Sequence, residues 1–326
     1  MLYGPSSSGL LTPIQCWLDD ESVSEIMINR PKEVWVESYG KMSRHTVDAL
    51  NDYHLHHFMQ LIANENNSKL DSSSPILSSS LLDGTRIQCV IPPITKHPIC
   101  SIRRRIVKDV SLTDFFNPYH QPSISNEIPL SKKNNSYNIS TDFKNLQSAI
   151  KEQKNIVISG GTSSGKTTLL NACLKMIDNK ERIITIEDAR EIDCANQNQV
   201  NLLVHHSGDL LTSIPIQELV KSSLRLRPDR IIIGEIRGKE ILDYLNAAAT
   251  GHKGCMTTIH AGTPQTALIR MKQLYKLNSV PSMTDQDILD EMYHVIDLIV
   301  QVKKTPVGRL VTDIVTLDAN GHFDSC

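Results

Sequence analysis

The apolar positions of this chain fall into two patterned halves joined by a polar stretch in which their periodicity vanishes. Val23 to Val36 carries apolar residues on either side of Asn29-Arg30-Pro31, the pattern of short strands meeting at a turn. Leu55, Phe58, Met59 and Ile62 then recur at helical intervals, which predicts an amphipathic helix over Tyr53 to Ala63. After a Ser-rich run, Ser72 to Ser80, the pair Asp83-Gly84 sits between Leu82 and the strand-like Ile87 to Ile91, as in a hairpin turn. The first part is expected to be α+β.

From Tyr119 to Thr141 the apolar periodicity vanishes among Pro, Ser, Asn and Lys, with Pro122, Pro129 and the polar run Ser131 to Ser136. This composition places an interdomain linker at 119–141, between an N-terminal domain at 1–118 and a second domain at 142–326. In the second domain the β-rich runs Asn155 to Ser159, Arg182 to Ile186, Arg230 to Gly234 and Cys255 to Ile259 alternate with helical stretches, Thr167 to Met176 and Ile216 to Leu224. Such alternation predicts a doubly wound α/β domain.

A chain of 326 residues is long enough for two cores. Its 34 Lys plus Arg against 36 Asp plus Glu leave no global field that would favour nucleic acid, so a directly bound nucleic acid is unsupported. The seven cysteines are odd in number, scattered and never spaced as Cys-x-x-Cys, so reduced thiols and a cytoplasmic setting are expected. Met1 to Pro13 lacks the basic start and long apolar stretch of a secretory signal. Apolar runs such as Ile231 to Ile233 and Ile296 to Val300 fall far short of the ~20 residues that a membrane helix needs, so any membrane association is expected to be peripheral.

The strongest chemical signal follows the apolar strand Ile156-Val157-Ile158. It runs into Gly160-Gly161-Thr162-Ser163-Ser164-Gly165-Lys166-Thr167 and then into the helical Thr168-Leu169-Leu170. This is a Walker A loop in its proper strand-to-helix setting. Glycines let the backbone curl so that amide N–H groups face phosphates, with the positive end of the new helix behind them. Lys166 is expected to reach the β- and γ-phosphates of ATP, and the Thr167 hydroxyl to ligate Mg²⁺.

Phosphoryl transfer to water also needs a group that positions the water and charge that holds the metal, both at the carboxyl ends of neighbouring strands. Glu187 and Asp188 end one predicted strand and Glu235 ends another. Glu235 is the candidate base, and Glu187 the candidate for the metal's outer shell through water. In Walker B strands an Asp usually precedes this Glu; here the position is Gly234, which leaves more of the metal holding to Thr167. His260, in Thr257-Thr258-Ile259-His260, is placed to sense the γ-phosphate, while His252 is as well explained by a structural role. The clusters His54, His56, His57 and His205, His206 are read as solvated. Arg86, Arg103, Arg104 and Arg105 could supply a guanidinium to the γ-phosphate. Arg225, Arg227, Arg230 and Arg237 crowd the Glu235 strand and divide between subunit interface and structure.

With these boxes in order, the chain resembles the secretion ATPase superfamily, and most closely the hexameric ATPases of type IV secretion and conjugal transfer. The Walker A loop, Ile184 to Asp188, Arg227 to Gly238 and Thr250 to Ala261 carry the likeness. In the first domain Glu25 to Pro31, Val34 to Glu37, Asp83 to Ile87, Pro92-Pro93 and Ser101 to Arg104 look like the conjugation-type members. The four-cysteine zinc module usual in type II assembly ATPases is missing.

The resemblance implies a RecA-like P-loop NTPase domain after a smaller α+β domain, a homohexameric ring, and ATP with Mg²⁺ held between the two domains of a subunit. It makes Arg86 and Arg103 nucleotide-contact candidates. It also implies partners among inner-membrane secretion channel components and other secretion ATPases, at the cytoplasmic side of the inner membrane. Ser163 and Thr85 stand where the family usually has Gly and Glu. The alternatives are a nucleotide-gated docking scaffold, a pilus-retraction ATPase and a nucleic-acid motor.

Overall fold

The structure, a computed structural model, describes residues 9–39, 41–66, 68–80, 84–104, 110–117, 139–204, 214–280, 283–318 and 323–325. Arg105, His205, His206, Asp83 and positions 119–138 of the expected linker lie outside the described residues. The chain forms two compact units: Met1–Val107 with Asp188–Glu191 and Leu203–Pro215, and Lys108–Glu187 with Ile192–Leu202 and Ile216–Cys326.

The first unit holds a short helix α1 (Gln15–Asp19), strands β1 (Val23–Arg30), β2 (Glu33–Ser38) and β3 (Lys41–Thr46), helix α2 (Asp52–Glu65), and strands β4 (Ile76–Ser80), β5 (Arg86–Val90) and β6 (Ile99–Arg103). They make one six-stranded sheet, ordered β3-β2-β1-β6-β5-β4. The break expected at Asn29 to Pro31 is the β1–β2 turn, with Lys32 at φ +68°. Period-two alternation sends Ile26, Ile28, Val34, Val36, Ile87 and Ile102 into one core with Leu55, Phe58, Met59 and Ile62 of α2. Asn51 caps α2 by accepting from the His54 amide at 2.9 Å, which satisfies an otherwise orphaned donor.

In the second unit helix α3 (Ile139–Lys151) precedes β7 (Ile156–Gly160), α4 (Lys166–Leu174), β8 (Ile183–Glu187), β9 (Gln199–Leu203) and α5 (Ile216–Ser223). There follow β10 (Arg230–Ile233), α6 (Glu240–Ala249), β11 (Met256–His260), α7 (Pro264–Lys276), α8 (Asp285–Val295), β12 (Leu298–Thr305), β13 (Gly308–Leu317) and β14 (Phe323–Ser325). The sheet order is β14-β13-β12-β7-β11-β10-β8-β9. Strands β12, β7, β11, β10 and β8 run parallel, and β13 and β14 add an antiparallel ribbon at one side.

The central strands are buried on both faces, which is why they read as unbroken apolar runs. Val157, Ile231, Ile233, Ile259 and Ile299 face α5 to α8 through Val220, Tyr244, Leu268 and Met292. Ile156, Ile158, Ile183, Ile232 and Val300 face α3 and α4 through Leu146, Ile150, Leu169 and Leu170. Two details depart from the sequence-based division. Leu112, Phe115 and Phe116, expected in the first domain, pack in this second core because they are the apolar residues that meet α3 and α4. Ile139 to Thr141, expected in the linker, begin α3.

Candidate active site

The phosphate loop, Glu187, Glu235 and His260 fall at or just beyond the carboxyl ends of four adjacent parallel strands, β7, β8, β10 and β11, whereas His252 precedes β11. Parallel pairing fixes their alignment: His260 is the cross-strand partner of Gly160, and Ile233, two residues before Glu235, is that of Ile186, just before Glu187. Such ends are where open α/β sheets bind ligands.

Between β7 and α4 the phosphate loop needs its glycines. A Cβ on Gly160 would collide with Ser164 Oγ and stand 2.7 Å from the Val302 carbonyl oxygen. Gly165 takes φ +97°, in the left-handed region, and a Cβ there would meet Arg309 Cδ at 2.6 Å. Ser163 adopts φ +56° without being glycine. The amide of Leu169 donates to Gly165 O at 2.8 Å and starts the helix. Gly161, Thr162, Thr167 and Thr168 complete the loop and first turn, and Ser164 Oγ is buried inside without a hydrogen-bond partner among the described residues.

Lys166 is buried. Its Nζ donates to the Gly161 carbonyl at 3.2 Å and lies 3.3 Å from both ring nitrogens of His260. His260 Nε2 is 2.9 Å from Glu235 Oε1, a buried atom that makes no aligned hydrogen bond among the described residues. Glu235 Oε2 accepts from Arg237 Nη2 at 2.6 Å and Nε at 3.0 Å. Lys166, His260 and Glu235, separated by up to 94 residues, thus form one contiguous chain.

Glu187 is 5% exposed, and its Oε1 accepts from the Ile192 amide at 2.6 Å, anchoring the segment that follows β8. Asp188 follows directly. It groups with the first unit, where Arg86 Nη2 pairs with it at 3.4 Å and with Glu191 at 2.6 Å. Arg103 is exposed on β6 directly opposite Arg86. Arg104 donates to the carbonyls of Asp20 and Val23 and so ties β6 to the start of β1. His252 Nδ1 lies 3.2 Å from the Ala247 carbonyl, a capping contact at the end of α6.

Arg237, expected at the subunit interface or in a structural role, holds Glu235. Two further contributors carry no expectation from the sequence. Gln301 is fully buried on β12; its Nε2 reaches the Ala261 carbonyl at 3.4 Å, next to His260, while its Oε1 has no hydrogen-bond partner among the described residues. Its signal is a lone amide inside the apolar run Leu298 to Val302. Arg309, whose Nε donates to Ser163 O at 3.2 Å, has no local signal, because it is 146 residues away. Behind the loop, burial pushes the Cys173 thiol up to about 12, which leaves it an unreactive packing group.

Residues 120–301 match the family described as type II/IV secretion system protein. The chain is 34% identical to the probable conjugal transfer protein TrbB of Sinorhizobium fredii, with 94% of this chain and 87% of that one covered. It is likewise 34% identical to the type IV secretion system protein VirB11 of Bartonella quintana, with 93% and 91% covered. The chain belongs to the type II/IV secretion system protein family. Among solved structures, the VirB11 ATPase of the Brucella suis type IV secretion system, in complex with sulphate, is 29% identical over 95% of this chain and 94% of that one, with a TM-score of 0.50. This secretion ATPase accordingly has a RecA-like P-loop domain after a smaller N-terminal domain, and it is a nucleotide-binding enzyme. Among the described residues of the secretion ATPase, no helix is long and apolar enough to cross a membrane.

Proposed function

We propose that this ATPase works as a homohexameric ring that hydrolyses Mg-ATP at Gly160 to Thr168 and uses the energy for type IV secretion, in conjugal DNA transfer, effector transfer or pilus biogenesis. The observation that carries this reading is the buried Glu235 Oε1, without an aligned hydrogen bond, in a contiguous chain with His260 and the loop lysine Lys166. Glu235 orients a water and takes its proton at Oε1 as the new phosphorus–oxygen bond forms and the bond to the departing ADP oxygen breaks. Lys166 exchanges its contacts with Gly161 and His260 for phosphate oxygens, and His260 registers the γ-phosphate through that exchange.

The residues suit Mg²⁺. A hydroxyl, Thr167, follows the loop lysine, the carboxylates Glu187 and Glu235 end adjacent strands, and the loop curls where a Cβ at Gly160 would collide. Thr167 would hold the ion directly and Glu187 through water. When bound, the ion neutralises charge on the β- and γ-phosphates. Inner-membrane channel components and other secretion ATPases are the proposed partners, with the ring peripheral at the cytoplasmic face of the inner membrane.

ATP turnover and particle mass, measured together on wild type, Lys166→Ala and Glu235→Gln with Mg²⁺, test the proposal. A six-subunit ring that turns over, with binding lost in Lys166→Ala and turnover alone lost in Glu235→Gln, supports it. A wild-type ring that binds nucleotide and hardly hydrolyses it would instead make the protein a nucleotide-gated docking scaffold.

A further inference from the structure

The phosphate loop contains a conformation that its own sequence does not favour. Ser163 stands at φ +56°, a region that glycine enters freely and that an L-residue occupies only when neighbouring structure holds it there. Gly165, two residues on, is also left-handed at φ +97°. Between them Ser164 is 3% exposed, and its hydroxyl has no hydrogen-bond partner among the described residues. Within the loop the Ser164 amide donates to Gly161 O, and at 3.3 Å that bond is long.

One side chain from elsewhere in the fold spans this turn. Arg309, at the start of β13, donates from Nε to the Ser163 carbonyl at 3.2 Å. Its Cδ lies so close to Gly165 that an added Cβ would stand 2.6 Å from it. The guanidinium thus grips one left-handed residue while the aliphatic stem lies on the other. The β12–β13 hairpin fixes where Arg309 stands, through the pairs Lys304 with Arg309 and Thr305 with Gly308. β12 is in turn the direct parallel neighbour of β7, the strand that feeds the loop.

We propose that Arg309 is the positioning residue of the phosphate loop, holding Ser163 and Gly165 in their left-handed turn so that the loop is preorganised for phosphate. Resting on the nucleotide site proposed above, the inference adds that Arg309 acts through Ser163 and not on the nucleotide. A glycine at 163 would then make the arginine dispensable.

The test is a four-protein cycle of wild type, Arg309→Met, Ser163→Gly and the double variant, all full-length, with thermal melts to establish folding. Amide hydrogen exchange of the loop is read first, on nucleotide-free protein. Arg309→Met should speed it about tenfold, and in the Ser163→Gly background by less than threefold. Arg309→Lys, which keeps charge and most of the stem but lacks the Nε donor, should behave like Arg309→Met. Binding of a fluorescent ADP analogue is read second, and its dissociation constant should rise in the same pattern. Equal acceleration in both backgrounds, or none in either, overturns the proposal. Normal coupling in hydrogen exchange with no ADP binding by wild type would uphold the positioning role and sink the nucleotide site instead.

Discussion

Glu235 Oε1 stands 2.9 Å from His260 Nε2, and the two residues come from the ends of the adjacent parallel strands β10 and β11. Glu235 thereby meets the loop lysine's own neighbour, since Lys166 Nζ is 3.3 Å from the same imidazole. Removing the base should cost turnover and spare binding. Glu235→Gln is expected to lower kcat by about 10²–10⁴-fold, the usual worth of a positioned general base, with nucleotide affinity changed by less than about threefold. Single-turnover kinetics beside equilibrium binding separate the two quantities. Wild-type turnover in Glu235→Gln would remove Glu235 from the mechanism.

Arg230 carries a different prediction, because it is 1% exposed and pairs with Glu181 through two bonds of 2.6 and 2.9 Å. Glu181→Gln strands a buried guanidinium and should destabilise the protein by about 3 kcal/mol in urea denaturation. Replacing both partners with apolar residues, Glu181→Leu with Arg230→Met, should recover most of that loss. If the double variant is as unstable as the single, the pair matters for its shape and not for its charge balance.

Acid stability has an identifiable contributor in Asp285, at the start of α8. Its bond from Lys272 of α7, and then that from Lys276, hold the carboxyl down at about 2. A folded value below the ordinary 3.8 means that the stabilisation is complete above about pH 4 and is lost as pH falls through about 2. The difference in melting temperature between wild type and Asp285→Asn should therefore be present at pH 5, shrink below pH 4 and vanish near pH 2. It should also shrink in high salt, because the groups are exposed. A difference independent of pH would show that the effect does not come from the carboxylate's charge.

Tyr244 is fully buried in α6, and its hydroxyl has no hydrogen-bond partner among the described residues. Burial also raises the phenol well above its usual range. Tyr244→Phe removes a desolvated polar atom and keeps the ring, so stability should hold or rise by up to about 1 kcal/mol. A loss of more than about 1 kcal/mol in chemical denaturation would reveal a partner for the hydroxyl.

Much of the second unit was legible because its signals are local. Ile156 to Ile158 and Ile231 to Ile233 are apolar runs that only a strand covered on both faces explains, and the loop from Gly160 to Thr167 states its chemistry in eight consecutive residues. The helix of the first unit was equally plain in Leu55, Phe58, Met59 and Ile62, all buried as their spacing requires. Leu112 to Phe116 was less so, since a short apolar cluster beside a polar stretch gives no sign of which core it joins.

The order of the nucleotide-site boxes, the strand-to-helix setting of the loop and the family were determined by sequence alone, because each depends on residues close together in the chain. Tertiary structure decided which side chains meet. Parallel register sets His260 opposite Gly160, the β12–β13 hairpin brings Arg309 across 146 residues to Ser163, and His252 turns to the end of α6 instead of the loop. Side chains in contact across a sheet are joined by no spacing rule, since strand order and register arise only when the two apolar faces of the sheet are covered together.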